Sequence, residues 1–186
     1  MKEPLKTEKR NEMVKVLILD ASAFIMGYEA SDNVLHHYTV PSVLEEIRQD
    51  LHKIRLESAI TDGRITVVTP KRDSIIKVQR IVSMLGEIGA LSETDIELLA
   101  LGLQLKQSDL EPTVVSDDYS VQNVASSMGV GFKGLGTPGI TKVFEWVIYC
   151  PGCRKRYDKP QPEGICLICG TTLKRKPNKK KVIDPS

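Results

Sequence analysis

The sequence lacks the two features that would place a protein in or across a membrane. No stretch approaches the roughly 18 to 20 consecutive apolar residues that a membrane-spanning helix needs. The N-terminal stretch 1–13 is charged and has no apolar segment resembling a secretory signal. We therefore predict a cytoplasmic protein that does not bind a membrane, in a compartment where disulfides are rare.

The sequence also lacks the marks of several enzyme classes. Ser22 and Ser116 adjoin acids, but no histidine stands near them in the sequence, so a serine nucleophile has no support. The glycine-rich stretch 131–136 lacks a strand-to-helix phosphate loop and is interpreted as a linker, which predicts no nucleotide cofactor. None of the histidines has zinc-type spacing; we interpret them as structural or surface residues, with His36 and His37 in a polar loop.

The chain is long and apolar enough for a core. Its 186 residues are 41% hydrophobic and 27% charged, which suits one cored domain and a small module. The net charge of +2 hides an asymmetry, because residues 150–186 hold 10 Lys and Arg against 3 Asp and Glu, whereas residues 1–149 hold 16 against 21. A basic end on an acidic body favours a polyanion such as nucleic acid as partner, although a charge run also forms an ordinary solvated face.

All cysteines fall in two short motifs near the C-terminal end, Cys150-Pro-Gly-Cys153 and Cys166-Leu-Ile-Cys169. Two disulfides or a redox pair are the alternatives, but no secretory signal is present and the motifs lie in turn-forming sequence, not on a βαβ unit. Two Cys-x-x-Cys pairs at this separation are typical of a tetrahedral thiolate site. We predict one structural zinc ion, with no coordination position left open for chemistry.

Strand and helix patterns alternate along the first part of the chain. Apolar or β-branched runs predict strands at 14–19, 65–68, 112–116, 130–132 and 142–149. Apolar residues at spacings of three and four, with turn residues at the ends, predict helices at 21–27, 42–60, 73–85, 92–106 and 119–128. This alternation predicts a three-layer α/β fold with a mainly parallel sheet.

Composition changes divide the chain into five segments. We predict a flexible leader, an α/β domain, a linker with a strand, a zinc ribbon and a basic disordered tail, at 1–13, 14–134, 135–149, 150–173 and 174–186 respectively.

Four acids are candidates for a shared metal site. Asp20 and Asp117 follow predicted strands, and Glu45 and Asp95 lie early in predicted helices, so all four can reach the carboxyl edge of the sheet. Converging carboxylates repel each other unless a divalent cation binds them, and Mg²⁺ or Mn²⁺ at such a site can activate water for phosphodiester cleavage. Taken singly, each acid is better explained as a helix-capping or helix-end residue than as a metal ligand, and periodicity does not show that the four meet.

Several segments together carry a family resemblance: LILDASAFI, PSVLEEI, LSETDIELLALGLQL and VVSDDYSVQNVA, followed by CPGC and CLICG. Over residues 14–172 the chain resembles a PIN-domain endoribonuclease fused to a zinc ribbon. Within that superfamily it resembles the archaeal ribosome-biogenesis nucleases that mature the 3′ end of small-subunit ribosomal RNA, the counterparts of the eukaryotic enzyme acting at site D. The resemblance implies a PIN-like three-layer α/β/α domain with a mainly parallel sheet, plus a small four-cysteine zinc ribbon.

The resemblance also implies roles for the acids. Asp20, Asp95 and Asp117 would be Mg²⁺ or Mn²⁺ ligands, and Glu45 would complete the ligand shell or orient water. Asp118 is either a further ligand or the cap of the next helix. The substrate would be precursor small-subunit ribosomal RNA, and the partners would be the immature small ribosomal subunit and its assembly factors.

The basic end predicts salt-dependent RNA contacts that do not read base sequence. The candidate residues are Arg154, Lys155, Arg156, Tyr157, Lys159, Lys174, Arg175 and Lys176. Tyr157 either stacks on an unpaired base or packs on its own hairpin. The rival functions are a non-catalytic RNA-binding assembly factor, a zinc-ribbon transcription factor and a PIN-domain toxin.

Overall fold

The computed structural model describes residues 13–30, 35–136, 142–158, 161 and 164–182. A parallel sheet of five strands forms its centre: β1 (Val14–Leu19), β2 (His36–Thr39), β3 (Ile65–Val67), β4 (Leu110–Val115) and β5 (Gly131–Lys133). The strand order is β3-β2-β1-β4-β5, and every neighbouring pair is parallel. The order reverses direction between β1 and β4, so the crevice at their carboxyl ends is the place where such sheets bind ligands.

Helices connect these strands: α1 (Ala21–Ile25), α2 (Pro41–Glu46), α3 (Asp50–Thr61), α4 (Arg72–Leu85), α5 (Glu93–Lys106) and α6 (Tyr119–Ser127). The parallel sheet with its crossover helices confirms the predicted α/β class. No helix in the described ranges combines the length and the apolar character that crossing a bilayer would require.

The core forms where α5 lies across the two central strands. Ile18, Leu98 and Val114 are at most 1% exposed. A Cβ atom at Gly102 of α5 would lie 3.3 Å from Val130 Cγ1 and 3.4 Å from Ile18 Cδ1, so the missing side chain permits close helix–sheet packing. This packing sets the height of the α5 N-terminus relative to the carboxyl edge of the sheet.

A second, antiparallel sheet contains β6 (Lys142–Tyr149), β7 (Arg156–Tyr157) and β8 (Lys174–Val182), in the order β7-β6-β8. Strand β6 packs against α4 and α6 of the α/β domain. A Cβ atom at Gly86, which has a φ of +71°, would lie only 2.7 Å from the carbonyl oxygen of Trp146. The close approach therefore depends on glycine at the end of α4.

The helix predicted over 42–60 is in fact two helices. Ile47, which ends α2, has an extended backbone (φ −75°, ψ 100°), and its side chain is only 4% exposed. Burying this side chain at the turn contributes about 2 kcal/mol. Pro41 starts the first helix, where its missing N–H costs nothing.

The polar loop predicted for His36 and His37 is also wrong, because both belong to β2. His37 is 2% exposed, and its Nε2 lies 3.0 Å from the hydroxyl of Tyr28. Thr39, which is fully buried, donates its hydroxyl proton to the carbonyl of Leu19 at 2.8 Å. Polar side chains enter this strand because each finds an internal hydrogen-bond partner.

The disorder predicted for the basic tail is wrong over Lys174–Val182, which forms β8. This lysine-rich segment pairs along the whole of β6, from Tyr149 with Lys174 to Lys142 with Val182. The main-chain hydrogen bonds to β6 offset the loss of conformational entropy that would otherwise keep so charged a segment disordered. Lysines are common on edge strands because they hinder further strand addition.

Candidate active site and zinc centre

Asp20 lies at the carboxyl end of β1, at the point where the sheet order reverses. It caps α1 by accepting a hydrogen bond from the amide of Ala21 at 2.6 Å, and it is only 8% exposed. Ser116, next to it across the sheet, donates to Oδ2 at 2.7 Å, and Ser22 donates to the same oxygen at 3.0 Å. Both serines hold the carboxylate in place, a role that sequence analysis missed, although each adjoins an acid.

Burial raises the pKa of Asp20. The hydrogen bonds from Ser116, Ser22 and the amide of Ala21 oppose this rise, while the negative charge of Glu46 adds to it. Asp20 is therefore a buried carboxylate whose charge is stabilised by hydroxyl and amide donors and opposed by another acid.

Asp95 lies in the first turn of α5 and forms a capping box with Ser92. Its Oδ2 accepts hydrogen bonds from the amide and the hydroxyl of Ser92, both at 2.8 Å, and its own amide donates to the Ser92 hydroxyl at 3.1 Å. Burial raises the pKa of Asp95, and the charges of Asp20 and Asp118 raise it further. The capping interpretation is confirmed, and Asp95 also lies within the electrostatic field of two other acids.

Asp117 and Asp118 follow β4 and have different partners. Oδ1 of Asp117 accepts hydrogen bonds from the amides of Leu135 at 2.9 Å and Gly136 at 3.2 Å. Asp118 caps α6 by accepting from the amide of Ser120 at 2.7 Å. Asp118 is thus a helix cap, and its charge also acts on Asp95.

Helix α2 contributes its acids at the end of the helix. Glu45 and Glu46 are both exposed, and Glu46, one position beyond the predicted Glu45, is the one whose charge acts on Asp20. The hydroxyl of Ser42 donates to Glu97 at 2.6 Å, which links α2 to α5.

The chemistry of this donor set fits a hard divalent cation. Carboxylate oxygens are the preferred ligands of Mg²⁺ and Mn²⁺. Burial is the main cause of the raised pKa values of Asp20 and Asp95, and a cation would offset both this burial and the smaller effect of the neighbouring negative charges. In the described part of the chain, however, only the cysteines are gathered tightly enough to hold an ion as they stand. The acids are instead engaged with helix termini and loop amides.

The four cysteines form a compact metal-ligand cluster. The Sγ atoms of Cys150, Cys153, Cys166 and Cys169 all lie within 4.8 Å of one another. Those of Cys150 and Cys169 are 3.4 Å apart, and those of Cys153 and Cys166 are 3.5 Å apart. Four sulfur ligands at about 2.3 Å from a tetrahedral zinc ion have similar mutual separations, so the cluster fits a closed structural zinc site.

The two Cys-x-x-Cys turns have the same backbone pattern. The amide of Cys150 donates to the carbonyl of Lys155 at 2.8 Å, and the amide of Cys166 donates to that of Thr171 at 2.9 Å. The residue after the second cysteine of each turn has a left-handed backbone, with φ of 63° at Arg154 and 70° at Gly170. Each turn thus presents its pair of thiols from a fixed backbone loop.

A hydroxyl group stands beside each sulfur of the second Cys-x-x-Cys pair. The Tyr157 hydroxyl lies 3.0 Å from Cys166 Sγ and lowers the pKa of that thiol to about 6. The Thr171 hydroxyl lies 3.3 Å from Cys169 Sγ and lowers the pKa of that thiol as well. Both contacts favour the thiolate form that zinc binds. The first contact also supports the packing interpretation of Tyr157, whose hydroxyl is directed at the cysteine cluster.

Comparisons with known proteins agree with this architecture. Residues 17–105 match the model of the PIN domain of ribonuclease. The chain is 39% identical over 165 residues to the endoribonuclease Nob1 of Pyrococcus abyssi, which covers 89% of this chain and 96% of that protein. The chain belongs to the Nob1 family of PIN-domain endoribonucleases. Its activity is therefore endonucleolytic cleavage of RNA.

Other members of the Nob1 family show the same relationship. Identity to the endoribonuclease Nob1 of Methanocaldococcus jannaschii is 40% over 167 residues, covering 90% of this chain and 80% of that protein. The 20S-pre-rRNA D-site endonuclease NOB1 of Saccharomyces cerevisiae is 33% identical over 102 residues, covering 54% of this chain and 22% of the yeast protein.

The predicted RNA-binding cations of this Nob1-family chain occupy different environments. Arg154, Lys155 and Arg156 are exposed near the first cysteine pair. Arg175 instead forms an ion pair of 2.9 Å with Glu87 of the α/β domain. Lys159 lies outside the described residues. Arg175 therefore has a structural partner that the count of charges did not reveal.

Glu87 is a buried carboxylate that sequence analysis missed. It is 2% exposed and accepts hydrogen bonds from Asn123 of α6 at 3.0 Å, Trp146 of β6 at 2.9 Å and Arg175 of β8 at 2.9 Å. The Arg175 guanidinium also lies 4.9 Å from the centre of the Trp146 ring. The only sequence signal for this network is Trp146, the one tryptophan of the chain. The network attaches the antiparallel sheet to the α/β domain.

Proposed function

We propose that this Nob1-family endoribonuclease cleaves precursor small-subunit ribosomal RNA at its 3′ end, by divalent-metal-dependent hydrolysis at the carboxyl edge of the parallel sheet. The observation that carries the proposal is Asp20. This buried carboxylate lies where the strand order reverses, is held by two serine hydroxyls, and acts electrostatically on Asp95. A buried, positioned and charge-opposed carboxylate is typical of a cation ligand.

The substrate is proposed from the family relationship. The yeast relative is named for cleavage at the D site of a precursor ribosomal RNA. We propose the corresponding RNA as substrate here, with the immature small ribosomal subunit and its assembly factors as partners in the cytoplasm.

Asp20, Asp95 and Asp117 would hold one or two Mg²⁺ or Mn²⁺ ions. When bound, such an ion activates water and stabilises the leaving oxygen. Ser22 and Ser116 hold Asp20 with its Oδ2 fixed. The amides of the segment at Leu135 hold Asp117, which ties the acid after β4 to the chain that follows β5.

For the acid of α2, we propose Glu46 in place of the predicted Glu45. Glu46 is the residue whose charge raises the pKa of Asp20. Glu46 ends α2 and its charge reaches that carboxylate, so we propose it as the residue that completes the ligand shell or orients water. Comparison of Glu46→Gln with Glu45→Gln tests the choice, because only the first variant should lose most of its cleavage activity.

The test is cleavage of a labelled RNA spanning the 3′ end of small-subunit ribosomal RNA, with Mn²⁺, with Mg²⁺ and with chelator. Asp20→Asn should reduce cleavage at least about 100-fold, because it removes a negatively charged metal ligand. The matched control is Asp109→Asn, which changes an exposed aspartate immediately before β4, at the opposite edge of the same sheet. Asparagine tolerates the φ of 59° at that position, so the control should cleave normally.

Two outcomes would contradict the proposal. Equal cleavage by the wild type and Asp20→Asn would exclude this carboxyl edge as the active site. Metal-dependent cleavage that ignores the mature 3′ end and cuts unrelated RNA equally well would support the site but exclude the proposed substrate.

A further inference from the structure

The antiparallel sheet has one face directed at the α/β domain. Trp146 of β6 and Arg175 of β8 both reach Glu87 from this inner face. Successive side chains in a strand point to opposite faces, and directly paired residues of antiparallel strands share a face. Ile148, two positions after Trp146 and paired with Arg175, therefore also belongs to the inner face.

The same register places different residues on the outer face. Tyr149 of β6 pairs with Arg156 of β7 on one side and with Lys174 of β8 on the other. These three residues form a row across the sheet, which we call the Tyr149 row. Lys176, two residues along β8, lies on the same face with its Nζ 4.7 Å from the centre of the Tyr149 ring. Tyr149 is half-buried, whereas Arg156 and Lys174 are exposed.

We propose that the Tyr149 row binds an unpaired nucleotide of the RNA, with the base against the tyrosine ring and the adjoining phosphates on Arg156 and Lys174. An aromatic ring between two cations matches the chemistry of single-stranded RNA, which presents a flat apolar base between negative charges. Neighbouring strands lie about 4.8 Å apart, so the two cations flank the ring on either side. The inference deepens the proposed function because it assigns part of the RNA to a defined surface.

The Glu87 network gives this surface a fixed relation to the catalytic edge. Arg175 and Trp146 hold the inner face of the sheet to α4 and α6 through a carboxylate that is 2% exposed. The outer face is consequently presented by a sheet that cannot rotate without breaking two hydrogen bonds to Glu87. RNA bound on the Tyr149 row and cleaved at Asp20 is held at two separated points, a geometry that favours one cleavage register.

The predicted RNA-binding cations of the basic end are not equivalent, and Tyr149 replaces Tyr157 as the candidate stacking residue. The pleat of the strands places these side chains on opposite faces of the antiparallel sheet. Lys174 and Lys176 face outward while Arg175 faces Glu87, and the Tyr157 hydroxyl is directed at the zinc cluster while Tyr149 lies between cations.

The test measures binding of fluorescent oligonucleotides to full-length, zinc-loaded protein carrying Asp20→Asn, so that no substrate is cut. Tyr149→Leu should weaken binding of single-stranded RNA by about 5- to 150-fold, the range expected for loss of one base–aromatic contact. Tyr149→Phe keeps the ring and should bind as tightly as the parent. Binding of duplex RNA, whose bases are not available for stacking, should change little between these variants.

The flanking cations provide a second measurement that does not depend on the tyrosine. Lys174→Gln and Arg156→Gln should each weaken binding and lower the slope of log affinity against log salt by about 0.7. Lys77→Gln, which removes an exposed lysine of α4, is the control and should leave both affinity and slope unchanged. Zinc content and the unfolding midpoint, measured for every variant, separate a lost contact from a misfolded module.

Parent-like affinity in Tyr149→Leu, or an unchanged salt slope in Lys174→Gln and Arg156→Gln, would overturn the proposal and leave this face available to a protein partner. Equal weakening in Tyr149→Phe and Tyr149→Leu would also overturn it, because the ring would not be the contact. Failure here is distinguishable from failure of the proposed function, since cleavage and its dependence on Asp20 are measured separately on the otherwise wild-type chain.

Discussion

The two candidate metal-ligand sets of this protein differ in how they are assembled. The cysteines come from two short turns, and their sulfur atoms already lie within 4.8 Å of one another. The candidate acids come from the ends of β1, α2 and β4 and the start of α5, and the carboxylates of Asp20, Asp95 and Asp117 are each held by a helix terminus or a loop. Local loops can gather a sulfur ligand set by themselves, whereas the arrangement of the acids depends on the packing of the whole domain.

Removal of zinc should have the largest effect, and it should unfold the ribbon but not the α/β domain. Structural zinc sites contribute about 10 to 16 kcal/mol of apparent binding free energy, and little apolar core is available to replace it in so small a module. Cys153→Ser should therefore release zinc and unfold the ribbon, whereas the parallel sheet stays folded. Amide hydrogen exchange measured separately for the two sheets tests this, with Thr172→Ser as the control that alters the module but no ligand. Unchanged protection of the ribbon amides in Cys153→Ser would contradict the assignment.

At the carboxyl edge of the parallel sheet, by contrast, bound metal should change how the stability of the protein depends on pH. Raised pKa values mean that folded Asp20 and Asp95 bind protons that the unfolded chain releases, so without metal the free energy of unfolding falls as the pH rises above the ordinary value of 3.8. Mn²⁺ binds the charged form and should reverse this slope. The measurement is the unfolding midpoint against pH with and without Mn²⁺. The same slope under both conditions would exclude binding at these carboxylates.

A single substitution should weaken the attachment of the antiparallel sheet to the α/β domain. Arg175→Met leaves Glu87 buried without its cation and should destabilise the protein by about 2 to 3 kcal/mol, less than for a fully buried pair because the Arg175 side chain is 35% exposed. Lys174→Gln, the neighbouring change on the outer face, should cost at most about 0.5 kcal/mol. Denaturant unfolding compares the two, and equal effects would show that the pleat does not divide them.

The smallest expected effect concerns the two Cys-x-x-Cys turns of the ribbon, which can be compared with each other. Gly170→Ala should destabilise the zinc-loaded module by about 1 kcal/mol, because alanine is strained at a φ of 70°. Arg154→Gly, at the equivalent position of the other turn, should be close to neutral, since relief of strain at a φ of 63° is offset by a more flexible unfolded chain. Zinc-dependent unfolding gives both values. A large loss in Arg154→Gly would indicate side-chain contacts that outweigh the strain.

Most elements of the α/β domain were predictable because hydrophobic periodicity reports directly on burial. The runs at β1, β4, α4 and α5 have clear apolar spacing and recognisable caps, including the Ser92 and Asp95 capping box. The errors fall where tertiary contacts outweigh local pattern. Strand β2 is polar in sequence but internally hydrogen-bonded, and β8 is a lysine run that becomes a strand only because β6 is there to pair with it.

The sequence by itself determined the four-cysteine cluster and the α/β class, since cysteine spacing and apolar period are properties of neighbouring residues. Only the tertiary structure decided that Ser116 holds Asp20, that Glu46 acts on it, and that Glu87 receives Arg175. These contacts join residues 26 to 96 positions apart, and a pair of polar residues at such separations carries no periodic signal. Their geometry is set by strand order and helix packing, which is why the attachment of the ribbon and the arrangement of the acids emerged only from the fold.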